Sequence, residues 1–288
     1  MPTLRDVVAV LDELYDPRWA DDWDAVGTVA GDPDADVTRI LLAVDPVQAV
    51  VDEAVSTGAD LVLTHHPLWL KGVTSVAATA PKGRVVHTLI SHGIALHTCH
   101  TNADSPRLGV SESMAYALGL QDVRPLDPDP LEPGETAARG SGRIGVLPEP
   151  TTVAAFAAHV AASLPAHHSA VRVAGDRDRP VSTVALCGGS GDFLLGAADA
   201  AGADVYVTSD LRHHPVSEHL ERPGACAVVD VPHWAAEWTW LPVAAQVIRE
   251  RVPGVDVVVS QIVTDPWTAH LPSRARGGGE AQTGTVSL

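Results

Sequence analysis

Long apolar runs are missing from this 288-residue chain. None reaches the ~18 residues that a membrane-spanning helix needs. The opening stretch, MPTLRDVVAVLDELYDP, is amphipathic and acidic, without the basic start and apolar centre of a secretory leader. Cysteine is scarce: Cys99, Cys187 and Cys226 are odd in number and form no CxxC pair. That argues against a disulfide framework and fits a reducing compartment. Basic residues are also in deficit, 19 against 36 acidic ones, for a net charge of -17. Such a chain repels phosphate backbones as a whole, which argues against nonspecific nucleic-acid binding but leaves room for a local basic pocket for a small anion. The expectation is a cytoplasmic protein with no membrane partner. With 45% hydrophobic residues it has ample material for a core. Its length suits two modest domains or one large one.

Thr3 is placed to cap a first helix, with Leu4, Val7, Val8, Leu11 and Leu14 at helical spacing, and Asp16-Pro17 ends it. AVGTVAG and RILLAVD each read as a buried strand. Residues 46–57 read as a helix closed by Gly58. ADLVLT, a helix at 83–92 and the strand GIALHT follow. This βαβαβ order predicts a largely parallel sheet with helices on both faces. Residues 125–142, rich in Pro, Gly and acid, read as a connection. They divide a first lobe, 1–124, from a second, 125–270. The second lobe opens with strand RIGVL, helix 152–164, strand VRVAG and then VSTVALCGGSG. Residues 271–288 show no periodicity and read as a disordered tail.

The halves echo each other. RILLAVDP matches TVALCGGS, and GADLVLTHH at 58–66 matches GADVYVTSD at 202–210. A strand, a helix, a GAD strand and a threonine recur in order, which reads as an ancient duplication. In open parallel sheets, ligands bind beyond the carboxyl ends of the strands. Those ends carry His65 and His66, then His97 to Asp104, in the first half. In the second they carry Thr208 to Asp210, then Asp230 to Glu237. Imidazoles and carboxylates without thiolates suit Zn, Fe(II) or Mn. Adjacent histidines on an extended strand end point different ways and serve two ions more naturally than one. His233 and Glu237 share a helical face if a turn forms there, and Glu237 is the candidate to bridge.

Plainer readings stand beside these: a surface HH turn, an orienting bond between His100 and Asp104, a simple pair of His233 with Glu237. Gly188-Gly189-Ser190-Gly191 reads as a tight turn before a phosphate cradle, since its spacing fits neither dinucleotide nor P-loop motifs. Cys99 reads as a small buried residue, and Trp234, Trp238 and Trp240 as core or interface.

THHPLW at 64–69, HTNAD at 100–104, TSDLRHH at 208–214 and DVPHWAAE at 230–237 resemble the Nif-three-like dinuclear metal-centre family, whose bacterial members are catalogued as GTP cyclohydrolase 1 type 2 homologues. WDAVGTVAGD, CGGSG and the closing DPW fit the same family, and the resemblance runs from about residue 3 to 267. It implies an α/β fold of two similar, intertwined three-layer α/β/α lobes, a dinuclear site between them, and a homohexamer. Carried over residue by residue, it implies that His65 and His233 bind one ion, His66 and Asp104 the other, and that Glu237 bridges. His100 and His214 match positions near the site and are the candidates for proton transfer. Ala25 stands where the family often has Asn, and Ser209 where it often has Gly; neither removes a ligand. The inserted domain of longer members is missing.

The expected function is a metal-dependent hydrolase acting on a nucleotide or phosphoester-type small molecule, with two divalent ions per chain. The alternative is a non-enzymatic metal-binding scaffold or regulatory ring. An open coordination position separates the two, because a structural site is closed.

Overall fold

The computed structural model describes residues 1–130 and 139–272. In the first part of the chain, α1 (Leu4–Leu14) starts at Thr3, whose hydroxyl and backbone exchange a capping box with Asp6. Then come β1 (Gly27–Ala30), β2 (Arg39–Ala43), α2 (Gln48–Thr57), β3 (Leu61–Thr64), α3 (Pro81–Ser91), β4 (Ala95–Thr98), α4 (Thr101–Asp104) and α5 (Val110–Ala117). The remainder forms β5 (Gln121–Pro128), β6 (Gly140–Thr152), α6 (Val153–Ser163), β7 (Arg172–Ala174), β8 (Pro180–Ser190), α7 (Leu195–Ala200), β9 (Val205–Ser209), α8 (His213–Leu220), β10 (Ala227–Val231), α9 (His233–Trp238), α10 (Trp240–Arg251) and β11 (Asp256–Val259). No helix among the described residues is long and apolar enough to cross a membrane.

The strands make two sheets, ordered β1-β4-β3-β2-β11 and β5-β6-β8-β9-β10-β7. Within them, β1-β4-β3-β2 and β7-β10-β9-β8 follow one pattern: an antiparallel edge strand beside three parallel strands. Beyond the pattern the sheets differ. β11 adds to β2 in parallel, whereas β6 adds to β8 antiparallel and carries β5. Sheet membership therefore changes twice along the chain, before β5 and again before β11.

Period-2 alternation sorts the apolar strand residues. Ile40, Leu42, Leu61 and Leu63 join Val184, Leu186, Val205 and Val207 in one central cluster with α1, α5, α6 and α10. Their neighbours Leu41, Val62 and Leu96 turn outward to α2 and α3, and Ala185, Tyr206 and Val228 turn to α7. One face of each sheet thus packs on a shared helical core.

Two expectations need correcting. AVGTVAG does not give a buried strand: β1 is a sheet edge, and Thr28 and Val29 are exposed. Nor is 125–142 simply a connection, because it supplies the end of β5 and the start of β6. Its prolines read as loop, but β5 is an edge strand, where a missing N–H is tolerated. Residues 131–138 and the tail from 273 lie outside the described residues.

Candidate metal centre

His65 and His66 follow β3 directly. Their amides stay bonded to Ala43 and Val44, so the strand pairing carries the two rings past the sheet edge. Asp104 ends α4, whose first turn is held by Asn102: its Oδ1 accepts from the His100 amide and its Nδ2 donates to Tyr15 O. Behind Asp104, the buried Arg143 guanidinium gives all five of its N–H groups to acceptors. Two of these bonds take the carbonyls of Ser105 and Pro106, which fixes the backbone next to Asp104 from the second sheet. His233 and Glu237 lie one turn apart on α9, which starts where β10 ends.

These side chains meet. His233 Nε2 is 2.7 Å from Glu237 Oε1, and His65 Nε2 is 3.4 Å from the same oxygen. His66 Nε2 is 2.9 Å from the other oxygen, Oε2. Asp104 Oδ1 lies 3.7 Å from His65 Nε2. His65, His66 and His100 bring one ring nitrogen each within 4.8 Å of one another, and His66, His233 and Glu237 form a second such grouping, one ligand atom each. His214 is not brought in: it is exposed at the start of α8, its ring against that of His213.

The outer nitrogens explain the arrangement. His65 Nδ1 donates to Cys99 O, His66 Nδ1 to Asp45, His100 Nδ1 to Asp24 and His233 Nδ1 to Asp210, at 2.7 to 2.9 Å. With the proton on Nδ1, each Nε2 presents a lone pair. Three of those lone pairs face a carboxylate that is only 3% exposed. His233 Nε2, Glu237 Oε2 and Asp104 Oδ1 are all buried and make no hydrogen bond. Acceptors aimed at acceptors call for a cation. Protons would otherwise supply the charge. Burial opposes it, but the Glu237 carboxylate pushes His66 up to about 10 and His233 up to about 11. Burial, joined by Glu237, holds Asp104 well above the usual carboxylate range. A donor set of imidazoles and carboxylates fits borderline divalent ions.

Gly189 is part of the site. Its φ is +71°, and a Cβ there would sit 2.5 Å from Glu237 Oε1 and 3.4 Å from His233 Nε2. The glycine-rich end of β8, read from the sequence as a tight turn but in fact part of the strand, is therefore a bare wall against these side chains, a role its spacing did not reveal. Asp45 and Asp24 were also missed as partners of the histidines, although both stand in segments quoted above. A third grouping, Asp199, His219 and Cys226, lies elsewhere. Its short contacts use opposite ring nitrogens, Nδ1 to Asp199 and Nε2 to Cys226. One ion cannot use both, so the grouping reads as a lock between α8 and β10.

A cleft of about 610 Å³ opens beside these side chains, lined by Asp45, His66, Asp210, His233, Arg172 and Trp267 among others.

Comparison with known proteins agrees with this architecture. The family model Duf34/NIF3 (NGG1p interacting factor 3) matches residues 2–266. A Streptomyces coelicolor protein called "GTP cyclohydrolase 1 type 2 homolog" is 53% identical, over 95% of this chain and 96% of that one. A Mycobacterium tuberculosis protein of the same name is 36% identical over 367 aligned positions, 92% of this chain and 96% of that one, so the relative carries an insertion. Among solved structures, a Bacillus cereus protein related to NIF3 has a TM-score of 0.85 at 24% identity, covering 93% of this chain and 99% of that one. A Staphylococcus aureus protein has the same TM-score and coverage at 27% identity. The chain belongs to the Duf34/NIF3 family.

Proposed function

We propose that this chain is a metal-dependent hydrolase holding two divalent ions, Zn, Fe(II) or Mn, and acting on a nucleotide or other phosphoester-type small molecule. One observation carries the two-ion reading. Glu237 Oε1 faces His65 and His233, while Oε2 faces His66. One carboxylate thus addresses two places, which supports a bridge in which His65 and His233 would hold one ion and His66 the other; Asp104, 3.7 Å from His65 Nε2, is assigned to the ion of His66 on the family resemblance. A pair of divalent ions lowers the pKa of bound water and stabilises charge on the group attacked. The chain's own residues do the rest. Asp45, Asp24 and Asp210 hold the imidazoles of His66, His100 and His233 in one tautomer, and five side chains shared by two ions would leave positions open toward the cleft that His66 and His233 line. His100, fixed by Asp24 and beside His65 and His66, is placed to hold or pass a proton. His214 has no part in this reading.

The matching strand orders support two α/β/α lobes that arose by duplication. Exposed Trp267 (68%), Phe193 (66%) and Trp23 (58%) support a homo-oligomer, proposed as a hexamer. Three buried free cysteines support a reducing, cytoplasmic setting. The relatives' name makes GTP the first compound to test.

Elemental analysis of protein purified without chelator, followed by a metabolite screen of the loaded protein, tests the reading. Two equivalents of metal with turnover of a phosphoester are expected. One equivalent or none after metal repletion would sink the dinuclear centre; full loading with no turnover would favour the scaffold.

A further inference from the structure

The stretch from 61 to 103 contains no Asp or Glu in a chain with 36 of them, and it holds both lysines of the sequence, Lys71 and Lys82, together with Arg84. It folds against the metal centre. A second cavity, of about 400 Å³, opens on the other side of His66 from the start of α2 to the start of α3. Leu68 and Val85 give it apolar walls, and Lys82 and Arg84 line it.

Its charges do not cancel. Asp45 is the one carboxylate in the lining, and both its oxygens are engaged, by His66 Nδ1 and by the Thr264 hydroxyl. Lys82 gives one N–H to Leu68 O and keeps two. The Arg84 side chain makes no hydrogen bond or ion pair among the described residues. The larger cleft is the opposite case. Asp45, Asp210, Asp230 and Asp265 line it, and its Arg172 is paired with Asp230. The slot is the opening with more cationic than acidic side chains in its lining, so it is the one that draws an anion.

We infer that the slot binds the anionic end of the substrate, a phosphate monoester on a small apolar or aromatic body, and lays the ester next to His66. The inference rests on the hydrolase reading for the fate of that ester, but the binding itself needs only the slot. Apolar walls take the body, and two free cations take the phosphate.

The test titrates phenyl phosphate and inorganic phosphate into the full chain, as purified and after chelation, with metal content measured in parallel. Phenyl phosphate should bind in both states and more tightly than phosphate. Lys82→Gln/Arg84→Gln should weaken it by about tenfold or more, since hydrogen bonds to charged groups are each worth about that. That variant should keep its metal, and Lys71→Gln, outside the slot, should bind as the parent does. Unchanged affinity in the double variant would overturn the slot. Phosphate binding as tightly as phenyl phosphate would overturn the organic occupant. A parent that binds phenyl phosphate but takes up no metal would remove the hydrolase reading and leave the slot standing.

Discussion

Asp60 and Asp204, 144 positions apart, make the same backbone hydrogen bonds, to which Asp60 adds one from the Thr38 hydroxyl. Asp60 Oδ2 accepts from the amides of Thr38 and Arg39, and Asp204 Oδ2 from those of Ser182 and Thr183. Each also donates its own amide to the strand it braces, at Arg39 O and Thr183 O. The glycines two places earlier, Gly58 and Gly202, both take a left-handed turn, with φ of +66° and +72°. The repeated GAD triplet is thus a helix stop followed by a strand brace. Asp60→Ala and Asp204→Ala should each cost about 1 kcal/mol, and the Asn variants less. Urea midpoints check this; an Ala variant as stable as its parent would refute the brace.

Glu237 is the sharpest test of the centre. Glu237→Ala should lose most of both metals, because one carboxylate faces both places. His65→Ala should keep the ion assigned to His66 and Asp104. Circular dichroism should show the fold intact in both, since the core lies beneath the strand ends. Normal loading of Glu237→Ala would remove the bridge, and its unfolding would make the site structural.

Gly189→Ala should behave as a site variant although it replaces none of the proposed ligands. Its new methyl meets only Glu237 and His233 within 3.4 Å. We expect a tenfold or greater loss of metal affinity with about 1 kcal/mol of backbone strain. Metal titration alongside thermal unfolding separates the two effects. Unchanged affinity would mean that Glu237 sits elsewhere in solution.

Arg143 spans the sheets, and Arg143→Met should hurt stability more than any single ligand change. It takes the guanidinium from buried Glu112, which keeps only the Tyr116 hydroxyl and the more distant Arg107, and it strips four carbonyls of their donor, at a cost of about 3–5 kcal/mol. If the variant folds, its Asp104 loop loses two carbonyl clamps, so the loss of metal should fall on one ion before the other. A folded variant with full metal content would show that the loop holds itself.

His97 gives the fold a pH dependence. It is 3% exposed beside Thr28, and burial pulls its pKa down to about 4. An unfolded histidine titrates near ~6.5. Below that value the unfolded chain takes a proton that the folded chain refuses. Stability is therefore full above pH 6.5 and falls as pH drops toward 4, by roughly 3 kcal/mol. Comparing unfolding midpoints of parent and His97→Gln across this window isolates the contribution; parallel curves would discount it.

That the histidine-bearing segments meet was legible because a parallel sheet gathers chemistry at its strand ends, and each histidine follows an apolar run. Their partners were not. Asp45 lies 21 residues from His66, and Asp24 lies 76 from His100. In so acidic a chain a single aspartate on a distant loop carries no signal. Helix limits such as Thr3 and Gly58 could be read because caps are local. β5 was hidden by its prolines, and β11 by distance, since DVVV says nothing of a partner more than 200 residues earlier. His214 was drawn in by its motif alone, and the structure leaves it at the surface.

β11 also dictates an order of events. Its pairing of Val257 with Ile40 joins the last described strand to the second. Synthesis delivers β2, β3 and β4 early, but β2 keeps an open, apolar edge until the chain has passed Val259. Such an edge is a template for aggregation. A message cut short at Gly254 should thus yield pelleted protein instead of a smaller working lobe, a difference that fractionation of expressed lysate would reveal. The first sheet is finished by the last strand to arrive, so half-made chains are dependent on whatever keeps nascent chains apart.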